Sequence, residues 1–296
     1  MTGVMNEPDR LTLERDGDAL ARFKTSQLVA RSGITSRRNL YWYYKQIDGL
    51  NFGDWIGPYL FEKMTGRLPC YFNPRVRTLG TYFSGCGSIL GHIRHSGKAI
   101  VWGSGAIKPE IKFAAPRQLR AVRGPLSRQI CLDQGYECPP IYGDPGVLLP
   151  IYYKPRPSPR RYSLGIVPHF TDTEVATRLF GGVTEVRIVD VRRSVEAVVD
   201  DIVDCEAIVS SSLHGIIVAQ AYGLPVARLV MLDRVIGGSF KFEDYYRGAG
   251  LAVPPRTLTI DAKHPPSIEE LRSAAMAADQ LDVVHVANRL LDVSPF

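Results

Sequence analysis

The sequence predicts an α/β protein of two units, each a parallel sheet covered by helices, and three observations lead there. From Leu40 onward, short apolar runs alternate with Gly-containing turns and amphipathic stretches, the texture of repeated β-α-β units. Residues 152–162, YYKPRPSPRRY, put prolines at alternate positions among cations and so block both helix and ladder, after which the alternation restarts. The length, 296 residues, suits two domains at ~100–200 residues each.

These divisions give an N-terminal arm at 1–38, a first unit at 39–152, a stiff linker at 153–162, a second unit at 163–260 and a C-terminal segment at 261–296. In the first unit Leu40–Tyr44, Tyr82–Ser84, Ala99–Trp102 and Gln118–Val122 read as strands and Trp55–Met64 as a helix. In the second, strands at Ser163–Val167, Val186–Val189, Ala207–Ser210 and Val226–Val230 alternate with helices at Glu174–Leu179, Ser194–Ile202 and Leu213–Tyr222. Ser267 and Glu270 form a capping box, which predicts one long helix to about Leu291 packing across the body. Its apolar face would carry Leu271, Ala274, Ala275, Ala278 and Leu281.

Composition excludes several classes. With 45% hydrophobic and 22% charged residues the chain can fill a sizeable core, which rules out wholesale disorder. The net charge of +6 is spread along the chain and interleaved with acids, so it fits an anionic small molecule or an acidic membrane surface as readily as a nucleic acid. A nucleic-acid module would need an aromatic and basic stripe. The nearest run, Leu40 to Lys45, reads instead as a buried strand. Five cysteines without Cys-x-x-Cys spacing, and histidines without ligand spacing, argue against a metal or redox site. Charges occupy the first 24 residues where a signal peptide needs an apolar stretch, and no apolar run reaches ~18 residues. The expectation is a cytoplasmic, reducing location with at most peripheral contact at the inner face of the membrane.

The segment from Ala207 to Pro225 is the most informative. A buried strand ends in Ser210-Ser211-Ser212, and a helix follows with His214 in its first turn. Free N–H groups and the positive dipole end make such a helix start a natural place for phosphate or carboxylate. The plainer alternative is that Ser211 or Ser212 is only an N-cap and His214 a satisfied, partly buried residue. Asp54, in Asn51-Phe52-Gly53-Asp54, is a candidate general base, or else the cap of a helix starting at Trp55. Gly103-Ser104-Gly105 would let backbone approach a ligand, although Lys108 stands where a dinucleotide fingerprint needs its third glycine. Arg123 projects from a strand end, either as a guanidinium fork that pairs an anion or as a plain surface Arg. Asp144 reads as a turn residue in Gly143-Asp144-Pro145. His169 ends the first strand of the second unit, while Arg234 and Lys241 supply cations beyond its last strand.

In this order these motifs resemble the polysaccharide pyruvyl transferase family. The matching points are Asn51-Phe52-Gly53-Asp54, Gly103-Ser104-Gly105, Arg123 to Ser127, Gly143-Asp144-Pro145, Pro168-His169, Ser212-Leu213-His214-Gly215 and Lys241-Phe242-x-Asp244-Tyr245. They span residues 51 to 245. The resemblance implies two Rossmann-like domains facing a cleft, as in GT-B glycosyltransferases. It also implies transfer of the pyruvyl group of phosphoenolpyruvate (PEP) onto two hydroxyls of a sugar, giving a cyclic ketal and phosphate. The family's PEP-contacting Arg and His fall on Arg123 and His214. Some members carry Arg where this chain has Ser212; Arg234 or Lys241 would then replace that guanidinium.

In the implied scheme His214, Asp54 and His169 are the catalytic candidates: His214 or a neighbour as acid, Asp54 or alternatively His169 as base. Arg123, Ser211, Ser212, Leu213, His214, Arg234 and Lys241 would bind PEP, and Asn51, Gly103, Ser104 and Gly105 would form a substrate loop. The partners are PEP, as donor co-substrate, and a sugar, oligosaccharide or lipid-linked acceptor; no metal and no nucleic acid is called for. The alternatives are a GT-B glycosyltransferase using a nucleotide-activated sugar, and a non-catalytic sugar- or nucleic-acid-binding module.

Overall fold

A computed structural model of the chain describes residues 39–44, 51–76, 79–231, 238–261 and 263–296. The arm at 1–38 and Arg234 lie outside the described residues. Two five-stranded sheets, parallel throughout, organise the rest. The first joins β1 (Asn39–Tyr41), β2 (Cys70–Tyr71), β3 (Tyr82–Ser84), β4 (Ala99–Trp102) and β5 (Gln118–Ala121) in the order β2-β1-β3-β4-β5. The second joins β6 (Tyr162–Val167), β7 (Val186–Ile188), β8 (Cys205–Ser210), β9 (Val226–Val230) and β10 (Thr257–Thr259) in the order β10-β9-β8-β6-β7. Parallel sheets are covered on both faces, so their central strands need near-continuous apolar runs; Ala207-Ile208-Val209 and Leu164 to Val167 are buried throughout.

Helices α1 (Phe52–Thr65), α2 (Pro125–Asp133), α3 (Leu149–Tyr152), α4 (Thr173–Phe180), α5 (Val195–Val203), α6 (Leu213–Ala221) and α7 (Phe240–Ala249) follow the strands, and a 3₁₀ turn at Pro145–Leu148 leads into α3. In α6 every residue but His214 is buried. A helix apolar all round has neighbours on all sides. Here β8 and β9 lie on one side and the Pro145–Leu148 turn on the other.

Helices also tie the two sheets together. The first unit's α1 packs on α5: Phe52 N–H donates to the Val191 carbonyl (2.8 Å) and Tyr59 Oη to Glu196 Oε1 (2.9 Å). From the other direction, α7 packs on α2. One apolar cluster runs from Phe52 and Trp102 through Ile216 and Val218 to Leu290.

Two expectations are corrected. The first strand stops at Tyr41, not Tyr44, and Tyr43 beyond it is exposed. The C-terminal segment is two helices rather than one, α8 (Ile268–Met276) and α9 (Val283–Leu291). Ser267 and Glu270 do form the capping box of α8, but Asp282 caps α9 by accepting His285 N–H (3.0 Å). The break has a physical reason, because the halves pack on different sheets. Leu271, Ala274 and Ala275 join the apolar cluster of the second sheet. The α9 end receives Trp102 Nε1–H at the Leu290 carbonyl (2.9 Å), and Arg120 Nη1 donates to the Ser294 carbonyl just beyond (2.9 Å).

Candidate active site

The carboxyl ends of both sheets' strands deliver the candidate residues, which is where open α/β sheets hold ligands. At the end of β8 the three serines shape the turn into α6. Ser210 Oγ donates to the Val167 carbonyl (2.7 Å) and accepts Ser212 N–H (3.0 Å). Ser211 Oγ donates to Asp172 Oδ2 (2.6 Å) and accepts His169 N–H (2.8 Å). Ser212 caps α6, accepting Gly215 N–H (3.4 Å). The proton of the Ser211 hydroxyl, expected at a phosphate, goes to Asp172 in this structure. What the turn does present is the first-turn N–H groups of Leu213 and His214, which have no carbonyl partner within the helix.

His214 is enclosed from two directions. Its side chain is 13% exposed, and Nε2 lies 3.7 Å from Asp144 Oδ2, too long for a hydrogen bond and short enough for an ion pair when the ring is protonated. Nδ1 faces the backbone of Gly53 so closely that a Cβ there would stand 2.3 Å from it. The first turn of α1 thus meets the first turn of α6 through a glycine. Asp144, fully buried, caps the Pro145–Leu148 turn by accepting Gly146 N–H at 2.9 Å. Burial pushes its carboxyl upward, but His214 and Gly146 outweigh that, and the net shift is downward. It is a buried carboxylate aimed at the imidazole, which its appearance in a turn motif did not reveal.

Asp54 does not cap a helix. The helix α1 starts at Phe52, and Asn51 is the cap, its Oδ1 accepting Gly53 N–H (3.3 Å) and its Nδ2 donating to Asp54 Oδ2 (3.1 Å). Asn51, expected in a substrate loop, orients Asp54 through this hydrogen bond. Burial raises the Asp54 carboxyl to about 7, against the opposing pull of His214, the Asn51 hydrogen bond and Lys241.

Lys241, in the first turn of α7, is 8% exposed, and among the described residues it has no hydrogen bond and no carboxylate within ion-pair distance. Burial lowers its ammonium to about 8; Arg123 and Arg228 push the same way, and Asp54 and Asp172 oppose. His169 caps the turn before α4, its Nδ1 2.8 Å from Thr171 Oγ1. Burial, with Lys241 nearby, lowers its imidazole to about 4.

Two groups of predicted residues face inward instead. Arg123 is fully buried, with Nε donating to Asp244 Oδ2 (3.0 Å), Nη1 to Ser88 Oγ (2.6 Å) and Nη2 to the Ala106 carbonyl (2.6 Å). Asp244 in turn accepts from Ser127 N–H (2.8 Å) and Ser127 Oγ (2.5 Å), which welds α7 to α2. The donors of Arg123, expected at an anionic ligand, point in this structure at Asp244, Ser88 and Ala106. Gly103, Ser104 and Gly105 are buried too. Ser104 Oγ donates to the Gly87 carbonyl (3.2 Å), and Gly105 leaves room for the Arg123 guanidinium, where a Cβ would stand 2.3 Å from Cζ. Both glycines are required by packing, Gly103 against Pro145 and Gly105 against Arg123.

Asp144, Asp172, Asp244 and Arg228 escaped the sequence reading as site residues. Only Arg228 left a clear signal, a cation set in the apolar strand Val226-Ala227-Arg228-Leu229-Val230. Among the described residues no group of three His, Cys, Asp or Glu side chains is arranged to hold a metal ion, and no helix is long and apolar enough to cross a membrane.

Two parallel five-stranded sheets flanked by helices define a two-domain Rossmann-like fold of the GT-B kind. The family model for polysaccharide pyruvyl transferases matches residues 83–230, half of the chain, and the chain belongs to that family. It is also similar to an uncharacterized protein of Acanthamoeba polyphaga mimivirus, 26% identical over 225 residues that cover 73% of this chain and 77% of that one. No solved structure matches it. Family membership makes it a transferase acting in the pyruvylation of polysaccharide.

Proposed function

We propose that the protein takes the pyruvyl group from PEP and installs it as a cyclic ketal across two hydroxyls of a saccharide acceptor, releasing phosphate. The observation that carries this reading is the pairing of Lys241, a buried cation without a described counter-ion, with Asp54, a carboxyl held near neutrality. The first supplies what a phosphate ester needs, the second what an enol carbon needs. The N–H groups of Leu213 and His214, with the imidazole that Asp144 and Gly53 orient, complete the anion pocket.

In this mechanism Asp54 delivers its proton to C3 of PEP and C2 takes on oxocarbenium character. An acceptor hydroxyl adds to C2, and its proton returns to the Asp54 carboxylate. The C2–O bond to phosphate then breaks, phosphate keeps the electron pair, and Lys241 and the α6 N–H groups hold the developing charge. The second hydroxyl adds to the regenerated cation and its proton leaves with phosphate, so one hydroxyl proton replaces the one given to C3 and the other accompanies the leaving group. Magnitudes choose Asp54 over His169 as the proton carrier, since a group near 7 can both give and take at neutral pH and one near 4 is a weak base. The test is incubation with PEP and a panel of aryl hexosides, reading phosphate release and the product mass. A product heavier by one pyruvyl ketal, formed with equimolar phosphate, supports the proposal. Glycosylation from a nucleotide sugar in the same panel, without PEP consumption, overturns it.

A further inference from the structure

Arg228 is a cation near this cleft that the mechanism leaves unused. It sits in β9, in register with Ser210 on β8, one strand over from the turn that starts α6. Its side chain lies on the face that meets α7. The guanidinium carbon stands 4.2 Å from the centre of the Phe242 ring, and Lys241 Nζ stands 5.4 Å from the centre of the same ring. Among the described residues the buried Arg228 Nε has no hydrogen-bond partner, and no carboxylate lies within ion-pair distance of either cation. Burial lowers both groups, and the charge of Arg228 lowers Lys241 further, against Asp54 and Asp172.

Packing two cations against one aromatic ring, with no described carboxylate in ion-pair contact, is costly in a folded protein, because each loses hydration and repels the other. The ring offsets part of that cost through its negative face. An anion with several acceptor oxygens removes the remainder, and a guanidinium with an unused donor edge beside an ammonium is the combination that grips a phosphate group.

We infer that Arg228 and Lys241 together form a site for a phosphate-class oxyanion, with Arg228 holding two of its oxygens. The inference deepens the proposed function and rests on it for the identity of the anion, the phosphate of PEP.

The experiment measures, on the full chain, the affinities for inorganic phosphate, PEP and UDP in wild type, Arg228→Met and Arg228→Lys, with exposed Arg192→Gln as control. Met keeps the stem over Phe242 and removes the charge. It is expected to lose at least about tenfold in affinity for phosphate and PEP, the scale of one charge-assisted hydrogen bond. The unliganded melting temperature should stay level or rise, because a like charge has been removed from Lys241. Lys keeps the charge and loses the fork, so a several-fold loss for both anions is expected; this variant decides alone if Met does not fold. Unchanged affinity in the folded variants overturns the inference. If phosphate and UDP depend on Arg228 while PEP does not bind, the site stands and the proposed donor falls.

Discussion

Asp54 lies in the first turn of α1, where Asn51 does the capping and leaves the carboxyl turned toward His214 and Lys241. Its carboxyl rises from 3.8 in the unfolded chain to about 7 in the native one. The native state thus binds this proton more tightly, so the associated stability is complete below about pH 4 and is lost as pH rises through about 7. Asp54→Asn should therefore melt increasingly higher than wild type from about pH 4 to about pH 8, read by calorimetry across pH. A melting difference between the two proteins that stays flat with pH contradicts the assignment. The same variant should bind PEP as wild type does and turn it over at least about a hundredfold more slowly. In wild type, kcat/KM for PEP should decline above about 7, as Asp54 loses its proton, and more steeply above about 8, as Lys241 loses its charge. Gly53 makes a different kind of demand. Gly53→Ala drives a methyl into His214 Nδ1, and the displaced imidazole should cost about a hundredfold in turnover. Retained activity would show that the imidazole has room to move.

At the scale of elements, the Arg123–Asp244 pair joins α2 to α7 and so sets where the Lys241 turn lies. Asp244→Ala leaves a fully buried guanidinium without its partner and should cost about 3–5 kcal/mol of stability in denaturant unfolding. A loss under about 1 kcal/mol would mean that water reaches the pair. Ser267→Ala, by contrast, removes a cap far from the cleft. It should cost about 1 kcal/mol and leave turnover unchanged. The sequence reading worked where local signals decide. Tyr82–Ser84, Ala99–Trp102 and Val226–Val230 are strands as predicted, because a short apolar run between turn residues has few other ways to be buried. The capping box at Ser267 was legible for the same reason. What failed needed tertiary information. Nothing local says that α8 and α9 serve different sheets, nor that Arg123, drawn from a strand end, turns inward to meet a carboxylate 121 positions away. In the site, His214, Asp54 and Lys241 were legible as types at helix starts, whereas Asp144 became a partner of His214 only through the turn that faces α6.

Across the whole molecule, helices α1, α7 and α9 each pack on elements of the other unit, so the two sheets share one apolar cluster. This arrangement keeps the first turns of α1, α6 and α7 together, which is why residues so distant in sequence converge on one cleft. On the proposed function, that convergence is tuned to a phosphorylated enol. A thermal-shift panel on the full chain with PEP and UDP-sugars tests it most directly, because a ligand that binds only the native state stabilises it by about 2.7 kcal/mol at a hundredfold excess over Kd. Stabilisation by PEP, undiminished when UDP-sugars are present and reduced in Lys241→Met, is the predicted result. Stabilisation by a UDP-sugar with no response to PEP would contradict it.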